Sequence, residues 1–138
     1  MSYIAVSQAA IGSPSSRPTQ MYSAQVADHI ANPRNVGELE NPSGIGDVTN
    51  EVCLDRIRLT IRIGDGRIID AKVKATGCPP TIAAASVLTE LIIGRSLDEL
   101  KSFNRDNVID ALGHLPPAKK HCSVLAVDAL RTAIDGSL

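Results

Sequence analysis

The sequence predicts an α+β domain: helices packed on the apolar face of a small antiparallel sheet. Two observations carry that prediction. Ile57, Leu59, Ile61 and Ile63 alternate with Arg56, Arg58, Thr60 and Arg62, and after Gly64-Asp65-Gly66 the alternation resumes with Ile69, Ala71, Val73 and Ala75 against Asp70, Lys72 and Lys74. Period-two patterning on both sides of a Gly-Asp-Gly turn is the mark of a hairpin with one buried face. Second, the segments that follow read as a run of helices, and strands followed by helices argue for α+β rather than for a parallel α/β sheet.

Residues 1–20 are rich in Ser and Pro and carry a single Arg, without a periodicity that a core could use, so they are expected to form a disordered tail ahead of a domain spanning 21–138. Tyr22, Val26 and Ile30 recur four apart and predict a helix that stops at Asn32-Pro33, since proline disfavours the helical region in the residue before it. A loop with Gly37, Pro42, Gly44 and Gly46 precedes the hairpin. Cys78 opens the next helix: Pro79 suits its first turn, Ala84, Leu88, Leu91 and Ile92 form its buried stripe, and Gly94 ends it. Ser96 and Glu99 form a capping-box pattern for a short helix, and a second short one runs from Asp106 to Leu112 before Gly113. Leu115-Pro116-Pro117 is expected to be extended. The last helix is expected from about His121 to Ile134, with Val127, Leu130 and Ile134 on one face and Gly136 just past its end.

A chain of 138 residues can bury a core without covalent staples. Three cysteines, an odd number, argue against a disulfide framework and for a reducing, cytoplasmic setting in which thiols serve as ligands. With 14 basic and 15 acidic residues the net charge of −1 supplies no field for nucleic acid or an anionic membrane, and 2% aromatic residues leave no base-stacking platform. The longest apolar stretches fall well short of the roughly 20 residues that span a bilayer.

The cysteines are far apart, yet each lies where an ordered element meets a turn. Cys53 precedes Asp55 at the start of the first hairpin strand, Cys78 follows the end of the second, and Cys122 follows His121 at a helix start. The start of one hairpin strand neighbours the end of the next, so Cys53 and Cys78 are expected to meet at one end of the sheet. Helix first turns favour thiolates at Cys78 and Cys122, with Lys119 and Lys120 adding positive charge. Three thiolates with Asp55 and His121 can complete a four-coordinate site for zinc or iron–sulfur. The competing reading takes each cysteine as a small core hydrophobe, Asp55 as a solvated strand-edge carboxylate and His121 as an exposed helix-end residue. By the same logic Arg56, Arg58, Arg62, Lys72 and Lys74 read as a solvated sheet surface, with a docking patch as the alternative. Leu115-Pro116-Pro117-Ala118-Lys119 is a connector or a pre-ordered peptide for a partner groove. His29 and His114 have no comparable context.

The segment YSAQVADHIANPRNVG (22–37), the Thr76-Gly77-Cys78 stretch with Ile82-Ala83 and Ser86, and LPPAKKHCS (115–123) together resemble the U-type iron–sulfur cluster assembly scaffolds, the family of IscU and the NifU N-terminal domain. The resemblance spans residues 21–135. It implies a three-stranded antiparallel sheet with helices on one face, the extra strand being led into by Gly44-Ile45-Gly46-Asp47-Val48. It also implies Cys53, Asp55, Cys78 and Cys122 as ligands, with His121 as an alternate ligand, each cysteine as a candidate sulfur acceptor, and Lys119 contributing to the site's electrostatics. The implied cargo is a transient [2Fe–2S] cluster built from Fe²⁺, with Zn²⁺ as an alternative occupant. The implied partners are a cysteine desulfurase, an Hsp70-type chaperone docking on Leu115, Pro116, Pro117, Ala118 and Lys119, its co-chaperone, and acceptor apoproteins. The protein is then a carrier, monomeric or homodimeric, rather than a turnover enzyme. A zinc-binding interaction domain and a cluster-free adaptor that keeps only the 115–119 segment are the competing functions. Leu54 stands where the family pattern has Gly, and Pro79-Pro80 where it has small flexible residues, which stiffens the rim of the site.

Overall fold

The computed structural model describes residues 22–51 and 54–137; the expected tail over 1–20, and Cys53, lie outside them. The elements in order are α1 (Ala24–Ala31), β1 (Gly44–Asn50), β2 (Asp55–Gly64), β3 (Arg67–Thr76), α2 (Pro79–Ile92), α3 (Leu97–Leu100), α4 (Arg105–Ala111), a 3-10 turn (Pro117–Lys119) and α5 (His121–Ser137). The three strands form one antiparallel sheet in the order β1-β2-β3.

Ile57, Leu59 and Ile61 lie opposite Ala75, Val73 and Ala71, and this face is buried beneath α2 and α5. The hairpin alternation holds up to its turn, where it slips. Arg62 pairs with Asp70 but Ile63 pairs with Ile68, so Ile69 is an extra residue on β3. The bulge turns Ile68 into the core and leaves Ile69, expected inside, 54% exposed with its methyls over Gly64.

The segment from Gly44 to Val48 is itself strand rather than a lead-in to one. Gly44, Gly46 and Val48 share the inner face of β1, since they pair with Ile61, Leu59 and Ile57. A Cβ on Gly44 or Gly46 would run into the backbone carbonyls of Ala133 and Ala129, so these glycines let α5 lie directly on the strand. The buried stripe of α5 is accordingly Cys122, Leu125, Ala126, Ala129, Leu130 and Ala133, with Val127 and Ile134 only half-buried, and the helix continues through Gly136 to Ser137. This rotates the expected face toward small residues, because the strand backbone approaches closest there.

The outer face of the sheet is neither bare nor simply basic. Arg56 grips Asp47 through two hydrogen bonds of 2.8 and 2.6 Å, Arg58 reaches Asp47 at 3.0 Å and Glu38 at 3.2 Å, and Lys74 reaches Glu38 at 3.2 Å. Arg56 and Arg58 hold the Asp47 carboxyl down to about 2 against its partial burial. Thr60, on the polar side of the alternation, is buried because the 32–43 loop crosses it: the Leu39 N–H donates to Thr60 Oγ1 at 3.0 Å.

The first helix and this loop are tied to α2 by a buried polar network. His29 Nδ1 meets Ser86 Oγ at 2.7 Å, the Arg34 N–H donates to the same oxygen at 2.8 Å, and Asn35 Nδ2 donates to Thr89 Oγ1 at 2.9 Å. Burial, reinforced by the Arg34 charge, pushes the His29 pKa down, so the imidazole is held neutral. The loop then pairs with the free edge of β3, Gly37 N–H donating to Val73 O and Val73 N–H to Asn35 O. Ser96 and Glu99 complete the expected capping box, and the second short helix, expected from Asp106 to Leu112, runs from Arg105 to Ala111 behind a capping box of Asn104 and Asn107 that the sequence reading did not name.

Candidate metal centre

Three element ends converge at the edge of the sheet away from the hairpin turn: the start of β2, the start of α2 and the start of α5. Asp55 is the first residue of β2 and is only 2% exposed, which overturns its reading as a solvated carboxylate. Its Oδ1 accepts the N–H of Cys78 at 3.2 Å, and Gly77 (φ +132°) leaves the space that the carboxylate fills. Cys78 is the N-cap of α2 and sits half-buried.

Cys122, the second residue of α5, is fully buried, with Sγ 3.8 Å from Cys78 Sγ. His121 donates Nδ1–H to the Ala118 carbonyl at 3.2 Å, since a carbonyl only accepts. That leaves Nε2 facing Asp55 Oδ2 at 3.3 Å and Cys122 Sγ at 3.7 Å. Locking one ring nitrogen on a backbone carbonyl while the other turns to the site is the orientation that metal-binding histidines require. Asp55, His121 and Cys122 have ligand atoms mutually within 4.8 Å, and Cys78 Sγ lies 3.8 Å from Asp55 Oδ2.

These separations fit a shared ion. Two thiolates on one tetrahedral metal at about 2.3 Å stand about 3.8 Å apart, a thiolate and a carboxylate or imidazole about 3.6 Å, and an imidazole and a carboxylate about 3.4 Å. Four donor separations, 3.8, 3.8, 3.7 and 3.3 Å, match these values, while the donors that all lie within 4.8 Å of one another are those of Asp55, His121 and Cys122, with Cys78 beside Asp55 and Cys122.

Burial is the largest influence on Asp55 and pushes its pKa up. The Cys78 N–H, the Thr81 hydroxyl and His121 together outweigh it, so the carboxyl stays ionised below its ordinary value. Cys122 goes the other way. Burial raises its thiol to about 12, the neighbouring Cys78 and Asp55 adding to the rise against a hydrogen bond from Thr81. The thiolate expected from its helix end is thus not present in the metal-free site; a coordinated cation restores it, because metal-bound thiols deprotonate.

Lys119 lies half-buried in the 3-10 turn and, among the described residues, makes no side-chain hydrogen bond or ion pair. Of the 115–119 segment, Leu115 is buried, Pro116 is half-buried and extended, and only Pro117 and Ala118 are exposed, on a single 3-10 turn rather than a straight run. Thr81, unremarked in the sequence, stands at the centre of the site, its Oγ1 3.3 Å from both Cys78 Sγ and Cys122 Sγ. Its signal was positional: the third residue of a helix faces the side chain of the N-cap.

A family model described as the NifU-like N terminal domain matches residues 21–136. The chain is 48% identical over 114 residues to "Iron-sulfur cluster assembly scaffold protein IscU 1" of Archaeoglobus fulgidus, covering 83% of this chain and 74% of that one. It is 44% identical over 117 residues to "Iron-sulfur cluster assembly scaffold protein IscU" of Escherichia coli, covering 82% and 91%. In fold it is similar to the crystal structure of a NifU-like N-terminal protein from Brucella abortus, with a TM-score of 0.73 at 20% identity, covering 85% of this chain and 94% of that one.

Proposed function

The chain belongs to the NifU-like N-terminal domain family, and from that premise we propose that it is an assembly scaffold on which a [2Fe–2S] cluster is built and from which it is handed to apoproteins. The cluster is cargo, and the protein is a carrier rather than a turnover enzyme. Cys53, Cys78 and Cys122 supply thiolates, and Asp55 or His121 the fourth ligand. The observation that carries this reading is the convergence of Asp55, His121 and Cys122 within 4.8 Å of one another, with Cys78 Sγ 3.8 Å from both Asp55 Oδ2 and Cys122 Sγ, donors drawn from three separate element ends.

Sulfur arrives as a persulfide on a cysteine desulfurase. A scaffold thiolate attacks the outer sulfur, a new S–S bond forms on the scaffold, and the donor leaves as its thiolate. Reduction to sulfide then takes two electrons from an external donor, and Fe²⁺ binds to the sulfide and the thiolates. Three soft ligands retain the cluster, while the harder carboxylate of Asp55 is a weaker match that keeps it exchangeable. Pro117 and Ala118 offer the exposed part of a docking segment for an Hsp70-type chaperone and co-chaperone, which release the cluster to its acceptors. Among the described residues no helix is long and apolar enough to cross a membrane. The odd number of cysteines supports a reducing, cytoplasmic setting for this chemistry.

Zinc is the second reading, since the same donor types, two thiolates with an imidazole and a carboxylate, suit tetrahedral Zn²⁺. The test is anaerobic addition of Fe²⁺, sulfide and thiol to metal-free protein. Sulfide-to-iron charge-transfer absorption in the visible, lost in each of Cys53→Ser, Cys78→Ser and Cys122→Ser, is the expected result. A colourless protein that retains tightly bound zinc favours the zinc domain, and three serine variants with normal clusters overturn the shared site.

A further inference from the structure

The start of α2 is unusual as a sulfur-binding end. Pro79 and Pro80 occupy its first two positions, where a helix ordinarily presents free N–H groups, and neither has one. The next two N–H groups, of Thr81 and Ile82, both turn to the Cys78 carbonyl, at 2.9 and 3.4 Å. Cys78 receives no capping bond on its side chain. The first turn thus has no backbone donor left for a sulfur.

The Thr81 hydroxyl takes that place. Thr81 is fully buried, and its Oγ1 lies 3.3 Å from both Cys78 Sγ and Cys122 Sγ, its hydrogen-bond partners among the described residues. A helical threonine commonly returns its hydroxyl to a carbonyl of the preceding turn, as Thr89 of the same helix does with Ser86 O at 2.7 Å. Thr81 does not. Its one oxygen instead spans α2 and α5 and is the polar atom between two sulfurs that belong to different elements.

We propose that Thr81 is a positioning residue of the metal centre, a hydroxyl donor that replaces the missing N–H groups of Pro79-Pro80, sets the two sulfurs at ligand spacing and hydrogen-bonds the Cys122 thiolate once a metal is bound. The inference rests on the metal-centre reading above. A donor to a coordinated thiolate draws charge from the sulfur and raises the energy of sulfur-to-metal charge transfer, so the hydroxyl has a spectroscopic signature that packing alone lacks.

The test loads metal-free protein with Co²⁺ alone, anaerobically, and reads the thiolate-to-cobalt band and the Co²⁺ Kd. Thr81→Val keeps the shape and removes the donor; its band is expected at longer wavelength, with Kd raised about tenfold. Thr81→Ser keeps the donor and is expected to retain the wild-type band. Thr81→Ala stands in, with the same expected shift, where the valine variant does not fold. A donor-free variant with the wild-type band and Kd overturns the role of Thr81 while leaving the metal centre intact. A serine variant shifted like valine assigns the effect to the methyl group and overturns it as well. Wild-type protein without a thiolate-to-cobalt band overturns the metal centre and this inference together.

Discussion

Replacing Leu54 with glycine should stabilise the protein, although it deletes a large apolar side chain. Leu54 has φ +61°, a left-handed conformation that costs an L-residue about 1–2 kcal/mol, and it is held there by a turn closed through its N–H to the Asn50 carbonyl at 2.6 Å. Its side chain is 73% exposed, so little burial is lost with it. Glycine removes the strain but adds about 0.5–1 kcal/mol of backbone entropy to lose on folding. The balance is a gain of about 0.5–1 kcal/mol, or roughly 2–4 °C in Tm for a domain of this size. Differential scanning calorimetry of chelator-treated Leu54→Gly, Leu54→Ala and wild type reads this directly. Alanine keeps the left-handed penalty and should not melt above wild type. A glycine variant that melts at or below wild type, together with the alanine variant, would refute the strain argument.

Gly46→Ala pushes a methyl group into the Ala129 carbonyl, and since backbone rather than a flexible side chain must yield, a loss of about 3 kcal/mol is expected in urea unfolding; a loss under about 1 kcal/mol would show that α5 can lift off β1 freely. Asp47 makes stability acid-sensitive: its folded pKa of about 2 lies below the ordinary 3.8, so its stabilisation is complete above the ordinary value and disappears as pH falls through the folded one. After discounting for the solvent exposure of Arg56, the stability lost in Asp47→Asn should be about 1 kcal/mol near neutral pH and shrink between about pH 4 and pH 2, as followed by denaturant titration, whereas a pH-independent difference would remove the carboxylate from the account.

The parts of the fold that were legible from sequence were those whose side chains advertise the packing. The β2 alternation, the helix opened by Cys78-Pro79 and the Ser96–Glu99 capping box all appear where their residues predict. β1 was opaque because its inner face is Gly44, Gly46 and Val48 while Ile45 points outward, so the apolar period is inverted at the place where a helix lies closest. Ile69 misled because a bulge changes register without changing composition. In the site, Asp55, Cys78, His121 and Cys122 were legible as residues at element ends, and the fold brings those ends together. Thr81 and the His29–Ser86 network were not: a hydroxyl inside a helix gives no pattern, and its role appears only when a second element arrives beside it.

The hairpin turn stands at the far end of the sheet from Asp55, nine residue steps along β2, or roughly 30 Å at strand rise. At its tip Asp65 and Gly66 are exposed, and a side-chain carbon built on Gly66 would meet no atom within 4 Å. That makes the tip a natural mooring for a fluorophore, an affinity handle or a surface tether. A probe fixed there leaves the face around Asp55, Cys78 and Cys122 open to visitors, so loading and unloading can be watched on single immobilised molecules without the label standing in the doorway.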